Sequence, residues 1–182
     1  GLYAGDRLML DVSAGANVAL HVTTQASTIV HDGHAAGSAQ KLCVSVENGA
    51  FCAVTSDPYV LFPGAGLHLD TSATVEKDAV LVLADGFAIH DPKQTGRLFA
   101  QYSSRLRIQH PDGTLLLQDI GRLEGDQMRS GPLGRSSAAA TVFVVAPPEK
   151  LAAVEHLEQA ADGCACLAGA SAAPNGAGLV IR

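Results

Sequence analysis

The sequence predicts an all-β domain that carries one C-terminal α-helix. From Leu8 to Val145, short segments of alternating apolar and polar residues recur at intervals of about 8–12 residues with turn residues between them, which is typical of all-β proteins. A helical apolar period occurs only in Leu151–Ala161, which follows a pair of prolines and is ended by Gly163. No fixed-period repeat or low-complexity linker divides the chain, so residues 1–182 are predicted to form a single domain.

Alternation of period two predicts the strands of the first half. Leu42, Val44 and Val46 lie on one side of such a segment, and the Asn48-Gly49 pair that follows it predicts a hairpin turn. The predicted strands here are Leu8–Val12, Val18–Val22, Gln40–Val46, Phe51–Thr55 and Tyr59–Phe62.

The second half continues the pattern with several longer segments. Ala79–Leu83 is a continuous apolar run, which predicts a strand buried on both faces. Pro111-Asp112-Gly113 predicts a tight turn between two strands, and Gly125–Ser137 is predicted to be a loop. The predicted strands are Leu67–Ala73, Ala79–Leu83, Leu98–Ile108, Leu115–Asp119, Thr141–Val145, Cys164–Ala168 and Gly178–Ile181, the last two joined by the Pro174-Asn175-Gly176 turn.

The composition indicates a globular protein and argues against two kinds of partner. With 182 residues and 47% apolar content, the chain can bury a core of its own. Its net charge of −6, without a basic patch, argues against binding nucleic acid or an anionic membrane, and no apolar run approaches the roughly 18–20 residues that span a bilayer. The four cysteines lack the spacing of a disulfide framework, so we expect a reduced, cytoplasmic chain; Cys164 and Cys166 could bind a soft metal, but no ligands at zinc-site spacing accompany them.

Histidines are candidates for a metal site. His31 and His34 are separated by two residues in a glycine-rich loop, which favours a solvated pair. His21 and His68 each lie on the polar side of an alternating strand and could share a sheet face. Together with His90 they would make a cupin-like metal enzyme, although the Asp-Pro pair after His90 is typical of a turn.

Acidic residues lie at the ends of predicted strands, where they would form a cation site only if the fold brought several together. Carboxylate oxygens bind hard and borderline divalent cations, whereas a single carboxylate is expected to be solvated. The candidates are Asp6, Asp57, Asp85, Asp119 and Glu124. The chain has no G-x-S-x-G elbow, H-E-x-x-H helix or phosphate-binding G-x-x-x-x-G-K-[ST] motif, so we expect it not to be an enzyme.

Three short motifs surround and include the stretch Ala19–His31. In chain order they are Gly5-Asp6, then Thr23-Thr24-Gln25-Ala26, then Gly49-Ala50 with Pro58, Phe62 and Gly64-Ala65. In order and spacing they resemble the urease accessory protein UreD (UreH) family, and the resemblance continues weakly to Arg182.

This resemblance implies both a fold and a function. UreD proteins are all-β, with two sheets in an irregular two-layer helicoid or sandwich and helices near the end, and they are not catalytic. They work with UreF and the GTPase UreG to deliver nickel to apo-urease, and a passage through UreD has been proposed as the route of the metal. For this chain the resemblance implies a cytoplasmic nickel metallochaperone scaffold that carries nickel in transit without a tightly bound cofactor, and that could form a homodimer within the complex.

The resemblance also implies which residues line the nickel path. They are Asp6, Thr23, Thr24, Gln25, Asp85 and Asp119. Oxygen and amide groups of this kind suit a site that must release its ion as well as bind it. Polar clusters between periodic segments are usually exposed turns, which is one interpretation of the T-T-Q run. Because the run matches that of the family and lies between two apolar strand segments, the alternative hypothesis is that its side chains are held inside the protein.

The chain departs from the family pattern at several points. The Glu-Trp pair of the family is Ala53-Val54 here, and the chain has no tryptophan. The G-R-x-x-x-G-E motif becomes His90-Asp91-Pro92 and then Gly96-Arg97. The family normally has a further stretch before Gly1, so we interpret the chain as a divergent, truncated member. The alternative function is a ligand-binding β-sandwich or the cupin-like metal enzyme.

Overall fold

Two β-sheets face each other and account for most of the molecule. The computed structural model describes residues 1–33, 36–130, 136–163 and 166–182, and in these ranges it does not describe the side chains of 129, 130 and 162. The strands are β1 Arg7–Ala14, β2 Ala19–Val22, β3 Ile29–Val30, β4 Ser38–Val46, β5 Phe51–Thr55, β6 Tyr59–Leu61, β7 Gly66–Val75, β8 Val80–Ile89, β9 Gln101–Gln109, β10 Leu115–Glu124, β11 Ala138–Val145, β12 Ala170–Ala172 and β13 Gly178–Ile181. One sheet has the order β1-β4-β7-β9-β10, and the other has the order β12-β13-β11-β8-β5-β2. In the second sheet, β6 also pairs with β8, and β3 pairs with β6.

The chain winds from one sheet to the other, so most strands pair in parallel with the strand one turn later. β1 pairs with β4, β4 with β7 and β7 with β9 in the five-stranded sheet, while β2 pairs with β5 and β5 with β8 in the larger sheet. The later strands are antiparallel, because β10 returns along β9 and β11 lies against both β8 and β13. The predicted all-β, two-layer helicoid is therefore confirmed.

Corners of equal length carry the chain from the five-stranded sheet to the larger one at residues 15–18, 47–50 and 76–79. These corners stack, since the Asn17 N–H donates to the Asn48 carbonyl at 3.0 Å and the Glu76 N–H donates to the Val46 carbonyl at 3.0 Å. Gly49 has φ 68°, so the predicted turn at Asn48-Gly49 is present. The prediction that it closes a hairpin is wrong, because β4 and β5 bury their apolar faces in one interior from opposite sheets.

The interior consists of two apolar clusters rather than one. The larger cluster includes the inward side chains near the corners, such as Val46, Val75 and Leu81. The smaller cluster lies at the other end of the same strands and includes Leu67 and Phe87. β8 contributes to both clusters, and its predicted burial on two faces is wrong: Leu81 and Leu83 point inward, whereas Val80 and Val82 are only half-buried on the outer face.

The C-terminal helix is shorter than predicted. Pro148–Lys150 forms one 3₁₀ turn, Leu151 is extended with ψ 142°, and α2 begins only at Val154 and ends at Asp162. The reason is local, because Ala153 is also extended and the helix can begin only after it. A second short helix, α1 at Gln127–Ser130, lies within the predicted loop at 125–137, part of which is outside the described residues.

The last strand pair is also shifted from its predicted position. β12 begins at Ala170 and pairs with β13 across the predicted turn at residues 174–176, whereas Cys164–Ala168 contributes no strand in its described part. Cys164 lies outside the described residues, as does His34. Within the described part of the chain, no helix combines the length and apolar character needed to cross a bilayer.

Candidate functional site: a polar belt between the sheets

A belt of polar side chains crosses the interior between the two apolar clusters. In β8, Leu83 belongs to the larger cluster and Phe87 to the smaller one, and Asp85 lies between them. In β9, Leu106 belongs to the larger cluster and Tyr102 to the smaller one, and Ser104 lies between them. The residues that form this polar belt are Gln40, Tyr59, Thr71, Asp85, Tyr102, Ser104 and Asp119.

Strand register places the belt at one level of the five-stranded sheet. Gln40 pairs with Leu69, which pairs with Ser104, and the adjacent row contains Thr71 and Asp119. All four polar side chains are on the inward side, since they alternate with outward residues along their strands. The belt therefore runs across the strands rather than along any one of them.

Asp85 is the charged group at the centre of the belt. The Tyr102 hydroxyl donates a short hydrogen bond to Asp85 Oδ1 across the interior, and the Ser104 hydroxyl also bonds to this carboxyl. Burial raises the pKa of Asp85, and the nearby charge of Asp119 raises it further, while the hydrogen bonds from Tyr102, Ser104 and the Gly86 N–H oppose the rise. Burial also raises the pKa of Tyr102, and the negative charge of Asp85 adds to this effect.

A small cavity lies beside Asp85. It has a volume of about 50 Å³, enough for water, and Gln40, Tyr59 and Asp85 supply polar groups to its wall. The Tyr59 hydroxyl donates to Gln40 Oε1 at 2.6 Å, which ties β6 of one sheet to β4 of the other. Burial, followed by the charge of Asp85, raises the pKa of Tyr59 to about 12, so its hydroxyl remains a hydrogen-bond donor at neutral pH.

The two ends of the belt reach the surface at different places. Asp57 and Ser56 line the cavity, and Asp57 is exposed, so this end opens beside the loop after β5. At the other end, Asp119 lies in the edge strand β10 and forms an ion pair with Arg182, which follows β13 of the facing sheet. The polar belt thus has one end near each of two separate parts of the surface.

The Thr23-Thr24-Gln25 run lies beside the Asp57 end but is not held inside. The Thr24 hydroxyl accepts a hydrogen bond from the Asp57 N–H at 2.9 Å, and the Thr23 hydroxyl donates to the Thr55 carbonyl at 3.0 Å. Thr24 is half-buried, whereas Thr23 and Gln25 are exposed, so the prediction of a buried run is wrong. β2 ends at Val22, and the chain then leaves the sheet as a loop. The hydroxyls of this loop bond to the end of β5 and to the loop after it, rather than to groups in the core.

The structure places Asp6 in a different local setting. Asp6 Oδ2 accepts the Tyr3 N–H at 2.8 Å and closes the turn before β1. Its backbone carbonyl accepts from Arg7 and from the Ala39 N–H, and neither of these is a belt residue. Glu124 pairs with Arg122 at 3.0 Å at the end of β10. Of the five acids at strand ends, Asp57, Asp85 and Asp119 are therefore the ones associated with the belt.

The histidines do not assemble as the cupin-like alternative requires. His21 lies in the larger sheet and contacts Thr55 Oγ1 at 2.6 Å, whereas His68 lies in the five-stranded sheet and contacts Ser103 Oγ at 2.9 Å. The prediction that they could share a sheet face is wrong for this reason. Asp91 does not orient His90 either, because its Oδ2 accepts from the Thr95 hydroxyl and the Gly96 N–H. Among the described residues, no three His, Cys, Asp or Glu side chains are grouped closely enough to hold a metal ion.

Five belt residues were not predicted from the sequence as site residues: Gln40, Tyr59, Thr71, Tyr102 and Ser104. The inward series of β7, β8 and β9 do contain a signal, because one polar residue interrupts otherwise apolar positions, as Ser104 does between Tyr102 and Leu106. Recognising that these interruptions lie at one level requires the register between strands, which the sequence alone does not supply.

The belt offers oxygen donors from carboxylate, phenol, hydroxyl and amide groups. Such ligands bind hard and borderline cations, and a chain of sites without thiolates favours exchange over tight retention. A cation next to Asp85 would favour its ionised form and would compete with the Tyr102 hydroxyl for the carboxylate.

Comparison with known proteins identifies a family across the whole chain. Residues 1–182 match the family model described as "UreD urease accessory protein". The chain is 60% identical over 182 residues to urease accessory protein UreD 3 of Bradyrhizobium sp. strain ORS 278 and to UreD 1 of Bradyrhizobium sp. strain BTAi1, and 40% identical over 186 aligned residues to UreD 1 of Methylorubrum extorquens strain PA1. All of the chain is aligned in each case, and it spans 65% of the length of the first two relatives and 63% of the third. The chain therefore belongs to the UreD urease accessory protein family.

Proposed function

We propose that this protein is a non-catalytic scaffold for urease maturation, and that nickel ions pass along its polar belt on their way to apo-urease. The observation that carries the proposal is a band of polar side chains between two apolar clusters, in which Asp57 and Asp85 line one small cavity and Asp119 is close enough to raise the pKa of Asp85. The family relationship supports the link to urease, and the oxygen donors of the belt support a cargo that is bound weakly and released.

The size of the cavity supports a stepwise transfer. About 50 Å³ holds water molecules but not a divalent ion with a complete hydration shell, so the ion would exchange water for side-chain oxygens at Asp85. The Tyr102 hydroxyl would leave Asp85 as the ion arrives and return when it moves on. Thr24 adjoins the Asp57 end, while Thr23, Gln25 and Asp6 stay predicted path residues that lie outside the belt.

The same proposal includes partners and a compartment. The scaffold would assemble with UreF and UreG in the cytoplasm, with nickel as cargo and no tightly bound cofactor, and a homodimer within that complex is part of the prediction. The support for these partners is the family relationship together with the absence of a catalytic motif in the sequence.

The test is urease activation in cells that lack their own UreD. Asp85→Asn keeps the side-chain volume but removes the negative charge, so we expect urease activity at a fixed nickel concentration to fall about tenfold or more. Asp11→Asn is the matched control, because Asp11 is exposed on the outer face of the same sandwich, and activity should be retained. Asp6→Ala and Gln25→Ala, measured beside them, test whether the path extends to those residues.

Circular dichroism of the purified variants shows whether the fold is retained. Full activation by a folded Asp85→Asn protein would contradict the proposed nickel route. Failure of the unmutated protein to activate a cognate urease would contradict the scaffold function itself.

A further inference from the structure

The outer face of the β9–β10 hairpin carries three arginines around an exposed isoleucine. Ile120 is 62% exposed and lies directly opposite Arg105 in the strand register. Arg122 is two residues along β10, and Arg107 lies opposite Gln118, two residues in the other direction. Since residues two apart share one face of a strand, these four side chains form a single surface, which we call the arginine–isoleucine face.

The charge of this face is opposite to that of the whole chain. Glu124 is the only acidic residue on the outward side of β9 and β10, both of which are fully described, and it pairs with Arg122 at 3.0 Å while both side chains stay more than half exposed. On the neighbouring strand β7, the outward residue Asp70 lies opposite Arg105 in the register. Arg107 Nε donates to the neutral Gln109 Oε1 at 3.1 Å. With three arginines against Glu124 and Asp70, this face keeps a positive charge on a chain whose net charge is −6.

We propose that the arginine–isoleucine face docks onto an acidic surface of a partner protein in the urease maturation assembly. This inference rests on the proposed function for the identity of the assembly, and on the hairpin for the chemistry. Arginine is enriched in protein interfaces, where an exposed apolar side chain such as Ile120 gains by leaving water and carboxylates can accept both arms of a guanidinium. The excess of arginine selects a partner surface rich in Asp and Glu.

The features of the face favour a protein over a nucleic acid. The overall charge of −6 repels a phosphate backbone, and the outward side of β9 and β10 has no aromatic ring on which a base could stack, because Tyr102 points inward. Carboxylates on a partner protein can match three arginines and one isoleucine at short range.

The experiment measures binding of three purified probes, UreF, UreG and apo-urease, to the protein by biolayer interferometry. We expect at least one probe to bind, and its Kd to rise about tenfold or more in the Arg105→Glu/Arg107→Glu variant. Ile120→Ser should weaken the same interaction without changing charge. The matched control is Lys77→Glu/Lys93→Glu, which makes the same change in net charge at exposed positions away from this face and should leave that Kd within about twofold.

Salt dependence provides a second readout that a folding defect would not imitate. Raising the NaCl concentration should weaken binding by the unmutated protein more than binding by the Arg105→Glu/Arg107→Glu variant. Equal binding of all three probes by this variant and the unmutated protein would overturn the inference while leaving urease activation, and thus the proposed function, intact.

Two other results would also overturn the inference. Loss of self-association in the double variant, seen by sedimentation, without any effect on the three probes would assign the face to a second copy of this chain. Binding of duplex DNA that depends on the same arginines would assign it to nucleic acid. If the unmutated protein binds none of the probes and does not activate urease, the proposed function fails as well.

Discussion

At the scale of single residues, Asp85 is held in an environment that disfavours its ionised form. Burial is the largest effect, and the Tyr102 and Ser104 hydroxyls only partly offset it. Inward acids are uncommon in a sandwich core because an unpaired charge there is costly. Within the part of the chain that the structure describes, the contacts of Asp85 supply hydrogen-bond donors but no cation, so a proton or a metal ion is the natural counterpart of its charge.

The raised pKa of Asp85 predicts a particular pH dependence of stability. An unfolded Asp titrates near pH 3.9, so between this value and the higher folded pKa the native protein binds more protons than the unfolded chain. The contribution of Asp85 to the free energy of unfolding is therefore present at low pH and lost as the pH rises through the folded pKa. The Tm of the unmutated protein minus that of Asp85→Asn should fall between pH 4 and pH 8.

The control for this prediction is Asp11→Asn, for which the corresponding Tm difference should not follow the same trend. A difference for Asp85→Asn that grows with pH would show that the carboxylate, rather than the acid, is stabilised in the folded protein.

At the scale of elements, most strands were predicted near their observed positions, but their partners were not. Period-two alternation finds a segment with one buried face, as in β4 and β7, whatever strand it pairs with. The Asn48-Gly49 signal specifies positive φ and not the direction in which the chain leaves the turn. The helix boundary was wrong because the apolar stripe from Leu151 continues through residues whose backbone is extended.

The junction after β10 provides a test of packing between elements. Gly125 lies under Phe99, and a Cβ added to Gly125 would be 1.9 Å from the Phe99 carbonyl oxygen. Gly125→Ala should therefore lower the free energy of unfolding by about 1–3 kcal/mol or more, because backbone must shift to remove the overlap. Urea denaturation followed by far-ultraviolet circular dichroism measures the change.

Gly15→Ala is the matched substitution, because a Cβ there meets nothing within 4 Å. It should be close to neutral. Equal stabilities of the two variants would mean that the Phe99 segment is not packed against Gly125 in solution.

At the scale of the whole molecule, the chain segments that build one apolar cluster also build the other. β7 contributes Leu67 to the smaller cluster and Val75 to the larger one, and β8 and β9 are shared in the same way. The fold class followed from local patterns, whereas the belt did not, since it depends on register between strands far apart in sequence. Asp85 and Asp119 were suggested by the family pattern, but their common environment became visible only in three dimensions.

Shared strands predict that the two clusters unfold together as one domain. Because the chain has no tryptophan, tyrosine fluorescence reports mainly on the belt through the inward Tyr59 and Tyr102, while circular dichroism reports on all strands. Urea transitions by the two probes should coincide. A tyrosine transition at clearly lower urea than the loss of strand signal would divide the molecule into separately unfolding parts.

The stacked corners at residues 15–18, 47–50 and 76–79 have a consequence for how such a protein can change over evolution. An added residue in one corner would break its hydrogen bonds to the next corner and move every following inward side chain out of step. On the opposite margin, the connections that return the chain to the five-stranded sheet differ in length, as residues 62–65 after β6 and residues 90–100 after β8 do, and these need not match one another. Insertions and deletions should therefore accumulate in these unequal connections. The stacked corners should keep their length, because that length sets the spacing between successive turns of the chain.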